Sequence, residues 1–189
     1  MDNLLMIQKL KDLGITFAEG LRDEEFARIE GTLGFRFPSE IRSFLACGLP
    51  VGKRFYNWRD LSADNVRSFY GFFSDMEESF RFDLENNPAD LRACLEERFS
   101  GIENPKAYAD AVLAYLHQST KLIPFYGHRC FFDGMDDMPI VSFWQPVDSI
   151  FYGETFEDYL NTEFLGKTHC IHHIPDRMKD TGIWYYLIG

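Results

Sequence analysis

The sequence lacks any long apolar run. No stretch of about 18 apolar residues occurs among its 189 residues, so it predicts no transmembrane helix. Residues 1–5 lack the basic region and apolar stretch of a signal peptide, and we expect a cytoplasmic protein. Cysteines are few and have no paired spacing, so we expect reduced, buried thiols at Cys47, Cys94, Cys130 and Cys170.

Positive charge is also scarce. The chain has 19 Lys and Arg against 30 Asp and Glu, a formal net charge of −11. Phosphate groups are bound by clustered Lys and Arg, so this charge argues against nucleic acid or an anionic membrane as a direct ligand. It permits a basic protein as partner, because opposite charges favour encounter.

The sequence contains no GxSxG, HExxH, Walker or GxGxxG motif, so we predict no enzyme and no cofactor. A nucleophilic pair of Cys130 with His128 can be imagined, but no orienting acid accompanies it. The Asp133-Gly-Met-Asp136-Asp137 segment lacks the spacing of a calcium loop and is typical of a turn.

A second cluster of possible metal ligands lies near the C-terminus. It places four imidazole and thiol groups within five residues, at His169, Cys170, His172 and His173. A single extended segment cannot bring four ligands at this spacing around a tetrahedral zinc ion. We therefore predict no metal site.

What the chain does have is aromatic and apolar side chains. Hydrophobic residues make up 46% and aromatic residues 16%, including 19 Phe and nine Tyr. This composition indicates one folded domain over residues 1–189, with a core packed by phenylalanine rather than a surface on which bases stack.

Residues 121–164 predict a small antiparallel meander that leads into a helix. The strand candidates are residues 129–132, 140–144 and 149–152, rich in β-branched and aromatic side chains. Glycine, proline and aspartate between them favour turns. An amphipathic helix is predicted over 156–164, where apolar residues recur every three or four positions.

Helices are predicted before the meander. Apolar spacing indicates helices over 4–13, 22–33 and from Pro38 or Ser39 to residue 47, each followed by a glycine. Phe55, Tyr56 and Trp58 are expected to begin or cap the sheet. The nearby Lys53, Arg54 and Arg59 form either a solvated edge or a small anion site.

The central part of the chain predicts an enlarged helical insert at about residues 63–119. Its helices are expected over 65–84, 89–99 and 105–117, bounded by Asn-Pro and Ser-Gly breaks. A C-terminal extension follows at about 166–189. Its last apolar run, 183–188, is a candidate edge strand.

Several short motifs, in their order, resemble the SMI1/KNR4 family, also called the SUKH superfamily. They are Leu-Ile-Pro-Phe at 122–125, Met-Pro-Ile-Val at 138–141, Asp-Ser-Ile-Phe-Tyr-Gly at 148–153 and the helix at 156–164. The acidic helix, glycine and proline-led helix near the N-terminus are also similar to this family. The insert is not explained by the resemblance.

The resemblance implies an α+β fold in which an antiparallel or mixed sheet packs against helices on one side. It also implies a function. Bacterial members of the SUKH superfamily are immunity proteins that bind and neutralise polymorphic toxins, often nucleases. Fungal members act in the regulation of cell-wall synthesis and in signalling. We therefore expect a non-enzymatic protein-binding module whose partner is a basic cognate toxin.

The negative charge is concentrated in two blocks. Residues 75–103 hold nine carboxylates against three arginines, and residues 128–165 hold eight carboxylates against one arginine. If the insert packs beside the meander, the two blocks form one anionic face; the alternative is that both are ordinary solvated surfaces. The candidate partner-binding residues are Glu77, Glu78, Asp83, Glu85, Asp133, Asp136 and Asp137.

A second hypothesis is that the chain is a regulatory module that binds a small ligand. The candidate residues of its polar cleft are His128, Arg129 and Trp144. Arg129 is the only Lys or Arg in the second acidic block. It either pairs internally, with Asp133, Asp136 or Glu163, or opens the cleft to an anionic ligand.

Overall fold

An antiparallel four-stranded sheet lies at the centre of the fold. The structure is a computed structural model, and it describes residues 1–168, 171 and 173–188. The strands of this sheet follow chain order, and a separate pair of short strands forms a two-stranded antiparallel sheet. The fold is thus α+β, as the sequence predicts. The strands are β1 (Thr16–Ala18), β2 (Leu49–Val51), β3 (Leu122–Tyr126), β4 (Arg129–Phe132), β5 (Ile140–Gln145) and β6 (Asp148–Gly153).

Helices occupy most of the remaining chain. Their bounds agree with the predicted ones to within a few residues as far as α8, although the helix predicted over 89–99 is divided into α5 and α6. None of the helices in the described ranges is both long and apolar enough to cross a bilayer. The helices are α1 (Asn3–Asp12), α2 (Asp23–Leu33), α3 (Ser39–Cys47), α4 (Ala63–Asn86), α5 (Pro88–Cys94), α6 (Glu96–Phe99), α7 (Pro105–Gln118), α8 (Phe156–Leu165), a 3-10 helix (Asp176–Thr181) and α9 (Trp184–Leu187).

Helices cover both faces of the central sheet, which corrects the expectation that they pack on one side. Alternate residues of a strand point to opposite faces. Ile123 and Phe131 therefore join a core with α1, α2, α3 and α8, on what we name the front face. Leu122 and Phe132 join a second core with α5, α6, α7 and the C-terminal helices, on the back face. The helical insert supplies most of the back layer.

The front core is built largely of aromatic rings, as the composition predicts. Phe35 and Phe37 contact each other edge-on at 4.8 Å between ring centroids. Trp58 packs on Phe37 at 5.1 Å and is buried, so it belongs to this core and not to the sheet. Phe55 contributes a single bridge to Tyr126 at the end of β3.

The C-terminal apolar run forms helix α9, so the prediction of an edge strand there is wrong. The buried residues Ile183, Trp184 and Leu187 recur at helical spacing, while Tyr185 is exposed. The Trp184 indole N–H donates to the carbonyl oxygen of Thr120 at 2.6 Å. Burial of one side of this segment against the back core therefore outweighs the β propensity of its residues.

Arg59 joins the loop after β2 to the start of α2. Its Nε donates to Glu25 Oε1 at 2.7 Å, and its other nitrogens donate to the carbonyls of Glu19 and Gly20. Arg59 is thus engaged internally and contributes to neither a solvated edge nor an anion site. The bond from Arg59, followed by the backbone N–H of Arg22, lowers the pKa of Glu25 from 4.5 to about 2.

This lowered pKa predicts a specific pH dependence of stability. Because the unfolded chain takes up the proton near pH 4.5, the stabilisation is complete above that pH and is lost as the pH falls towards 2. Urea unfolding between pH 6 and pH 2 measures the effect. We expect Glu25→Gln to flatten the pH profile, and Glu24→Gln, at the exposed neighbouring position, to keep the wild-type slope. Equal slopes for wild type and Glu25→Gln would contradict the assignment.

Candidate functional site

Five side chains form a cluster on the front face of the sheet, beside helix α8. We name it the Trp144 cluster, and it consists of His128, Arg129, Trp144, Ile150 and Tyr152. The structure therefore brings together the three residues of the predicted cleft. Trp144 is 67% exposed and Ile150 is 46% exposed, whereas His128 and Arg129 are partly buried beneath them, so the cluster forms a surface and not a deep cleft.

Arg129 anchors the cluster. Its Nε donates to Glu163 Oε2 of α8 at 3.0 Å, and both side chains are only 12% exposed. Its Nη1 donates to Ser142 Oγ at 2.6 Å, and its guanidinium lies 3.5 Å from the ring centroid of Tyr152. The internal pairing is thus made with Glu163, one of the three partners that the sequence left open. These contacts hold Arg129 and Tyr152 between the sheet and α8.

The surroundings of His128 favour its neutral form. Its Nε2 contacts Arg129 Nη1, and because an arginine donates but does not accept hydrogen bonds, this contact favours a lone pair on Nε2. Burial, followed by the charges of Arg129 and Arg54, lowers the pKa of His128 below its ordinary value. The imidazole also contacts Trp144 edge-on, at 5.6 Å between ring centroids. The indole is therefore supported on one side while the rest of it faces solvent.

Ile150 and Tyr152 complete the cluster and were not predicted as site residues. Ile150 pairs with Ser142 across the β5–β6 hairpin, which makes it a diagonal neighbour of Trp144. The residue types of β6 did not point to them, because the polar Ser149 is buried with Phe151 while the apolar Ile150 is exposed. Asp148 begins this strand, is exposed, and acts on the charge of His128.

A shallow basic depression opens beside the cluster. It has a volume of about 420 Å³ and is lined by Lys53, Arg54 and Gly127 among others. Lys53 and Arg54 are exposed, and the Arg54 guanidinium lies 4.6 Å from the ring centroid of Tyr126. The depression places two cations next to an otherwise aromatic surface.

The candidate carboxylates of α4 differ in what they can contact. Glu77 accepts hydrogen bonds from Arg81 and from His117 Nε2, so its charge is already neutralised. Glu78 and Glu85 are exposed and have no ion pair within the described part of the chain. They stay available to a basic partner.

Asp83 was also predicted to bind a partner, and the structure corrects this. Its side chain is completely buried between α4 and the β5–β6 turn. It accepts hydrogen bonds from the backbone N–H of Val147 at 3.2 Å and from Asn87 Nδ2 at 2.7 Å. A polar group at this position holds the helical insert to the sheet, so its role is structural.

The carboxylates between β4 and β5 are mainly tied to the front layer. Asp133 accepts from the backbone N–H of Arg36 at 2.8 Å, and Asp136 accepts from that of Ser39, at the first residue of α3. Asp137 is exposed. Among the described residues, no hydrogen bond or ion pair joins these carboxylates to those of α4. The two acidic blocks are thus held by different elements.

Two possibilities from the sequence concern thiols and metals. Cys130 is buried on the back face, and its Sγ donates to the carbonyl of His128 and not to the ring. Burial raises the pKa of Cys130 far above its ordinary range, so the thiol stays protonated.

His169, Cys170 and His172 lie outside the described residues. Within residues 1–168, 171 and 173–188, no group of three or more His, Cys, Asp or Glu could hold a metal ion.

Comparison with known proteins identifies no relative of this chain. No known protein family, no curated protein and no solved structure matches this chain. The resemblance to the SUKH superfamily is confined to the short sequence motifs.

Proposed function

We propose that this chain is a protein-binding module of the SUKH type, an immunity protein that neutralises a basic toxin in the cytoplasm. The observation that carries the proposal is the Trp144 cluster on the central sheet, in which Trp144 and Ile150 are exposed. We further propose that Trp144 and Ile150 are the centre of the contact with the toxin.

The composition of the cluster supports a protein partner. Tryptophan, tyrosine and arginine are the residues that contribute most to binding energy at protein interfaces. Here Arg129 contacts Tyr152 and is held in place by Glu163, and Trp144 packs on His128, the residue before Arg129. Side chains that are already ordered lose little conformational freedom on binding, which favours affinity.

Charge supports a basic partner. The chain carries a formal net charge of −11, so it attracts a cationic protein. Dissolved salt screens this attraction and limits its range. Exposed Asp148 lies at the border of the Trp144 cluster, and Glu78 and Glu85 add negative charge on α4. We assign the long-range attraction to the net charge and the short-range specificity to the cluster.

The test is binding to a basic nuclease toxin encoded beside the gene of this chain, measured with purified proteins at low and high salt. We expect a complex that weakens as salt rises, and we expect Trp144→Ala to weaken it by about 30-fold. Phe82→Ala is the matched control, because Phe82 is an exposed aromatic residue on α4, away from the cluster. It is expected to leave binding unchanged.

Two further outcomes would contradict parts of the proposal. Loss of binding on Glu78→Lys with Glu85→Lys, but not on Trp144→Ala, would assign the contact to α4 instead. A toxin that forms no complex with the wild-type chain even at low salt would refute the immunity function. Protection of cells from the same toxin gives an independent readout.

A further inference from the structure

A cavity of about 440 Å³ lies at the end of the sheet opposite the β5–β6 turn. Residues of α4, α7, the segment before β3 and helix α9 line it. This volume lies within the range of about 300–1,000 Å³ found for small-molecule sites. The cavity does not include any residue of the Trp144 cluster, so it is a separate site.

The walls of the cavity are mainly apolar. Phe73, Met76, Leu116, Leu122 and Trp184 contribute to them, and Tyr70 stands at the surface. Such walls select a ligand with an aromatic or branched aliphatic body, because burial of its apolar surface is favourable.

The polar groups of the cavity determine which polar group a ligand must carry. Glu77 is bound by Arg81 and His117, so its carboxylate offers little net negative charge. Lys121 also lines the cavity, and its Nζ donates to the carbonyl oxygen of Gly34 at 2.9 Å. No carboxylate pairs with Lys121 in the described part of the chain. An ammonium group has three donors, so Lys121 can also bind an anion.

We propose that this cavity binds a small amphipathic carboxylate, with its apolar body against Phe73 and Leu116 and its carboxylate on Lys121. An aliphatic or aromatic acid meets both requirements of the site. A cationic ligand would be repelled by the positive charge of Lys121, which no carboxylate of the described residues neutralises. A ligand with several phosphates would bind weakly, because such ligands need several basic groups and the cavity offers one lysine. The inference does not depend on the proposed immunity function.

The experiment uses 4-phenylbutyrate as the probe, followed by calorimetry and by the NMR signal of the Trp184 indole N–H. We expect saturable binding and a shift of that signal. Lys121→Met is expected to weaken binding about tenfold, because it removes a charge-assisted hydrogen bond while keeping most of the side chain. Lys9→Met, at an exposed position on α1, is the matched control and should bind as wild type.

Two additional measurements keep the test decisive. The neutral amide 4-phenylbutyramide should bind wild type weakly and should not distinguish it from Lys121→Met. Ser74→Trp, at an exposed position on the cavity wall, should block binding of the acid without unfolding the chain. Absence of saturable binding, or equal affinities for acid and amide, would overturn the inference. A chain that binds toxin but not the acid would overturn this inference alone.

Discussion

Replacing Arg129 with methionine is expected to lower the free energy of unfolding by about 3–5 kcal/mol, because it leaves a buried carboxylate without its partner. Glu163 is 12% exposed, and Arg129 is its ion-pair partner. The substitution also removes the donor to Ser142 and the cation over the ring of Tyr152. Chemical denaturation followed by circular dichroism measures the change.

A double substitution distinguishes the effect of the unpaired buried charge from the effect of lost packing. Arg129→Met with Glu163→Gln removes both charges, so we expect it to be more stable than Arg129→Met alone. Arg67→Met is the control for removal of an arginine, since the ion pair of Arg67 with Asp64 is largely exposed and contributes little. A double variant as unstable as the single one would show that packing, and not the buried charge, dominates.

Replacing Asp83 with alanine is expected to lower the free energy of unfolding by about 2–3 kcal/mol. The carboxylate accepts from the backbone N–H of Val147 and from Asn87, and alanine leaves both donors without this acceptor. Because Asp83 joins α4 to the β5–β6 turn, hydrogen exchange should increase most in these two elements.

Glu85→Ala provides the control on the same helix. Glu85 is exposed, so its replacement should change the free energy of unfolding by less than about 0.5 kcal/mol. Toxin binding by Asp83→Ala should equal that of wild type under conditions in which the variant is folded. A weakened complex with unchanged stability would restore Asp83 as a partner-binding residue.

The local elements could be predicted from sequence because their signals are short-range. Strands β4, β5 and β6 and helix α8 follow from β-branched and aromatic runs, turn residues and helical spacing. These strands, turns and the helix depend on residues that are near one another along the chain. The pairing of Arg129 with Glu163, 34 residues later, was one of three possibilities in the sequence, and only the structure selects it.

The back layer could not be predicted in the same way. Residues 183–188 have β propensity, but their side chains pack as a helix against strands about 40 residues earlier in the chain. Asp83 lies at helical spacing from the buried Met76 and Phe80, but carboxylates are seldom buried, so the sequence favoured an exposed side chain. Its burial depends on the hydrogen bonds from Val147 and Asn87, which only the folded structure shows.

The sequence by itself determined an acidic α+β chain with an antiparallel meander, a helical insert and the residues of the Trp144 cluster named in part. The tertiary structure decided which faces of the sheet are covered, which carboxylates are free and where a cavity forms. The reason is physical: periodicity and turn chemistry act between neighbouring residues, whereas burial and charge pairing depend on segments that meet only when the chain has folded.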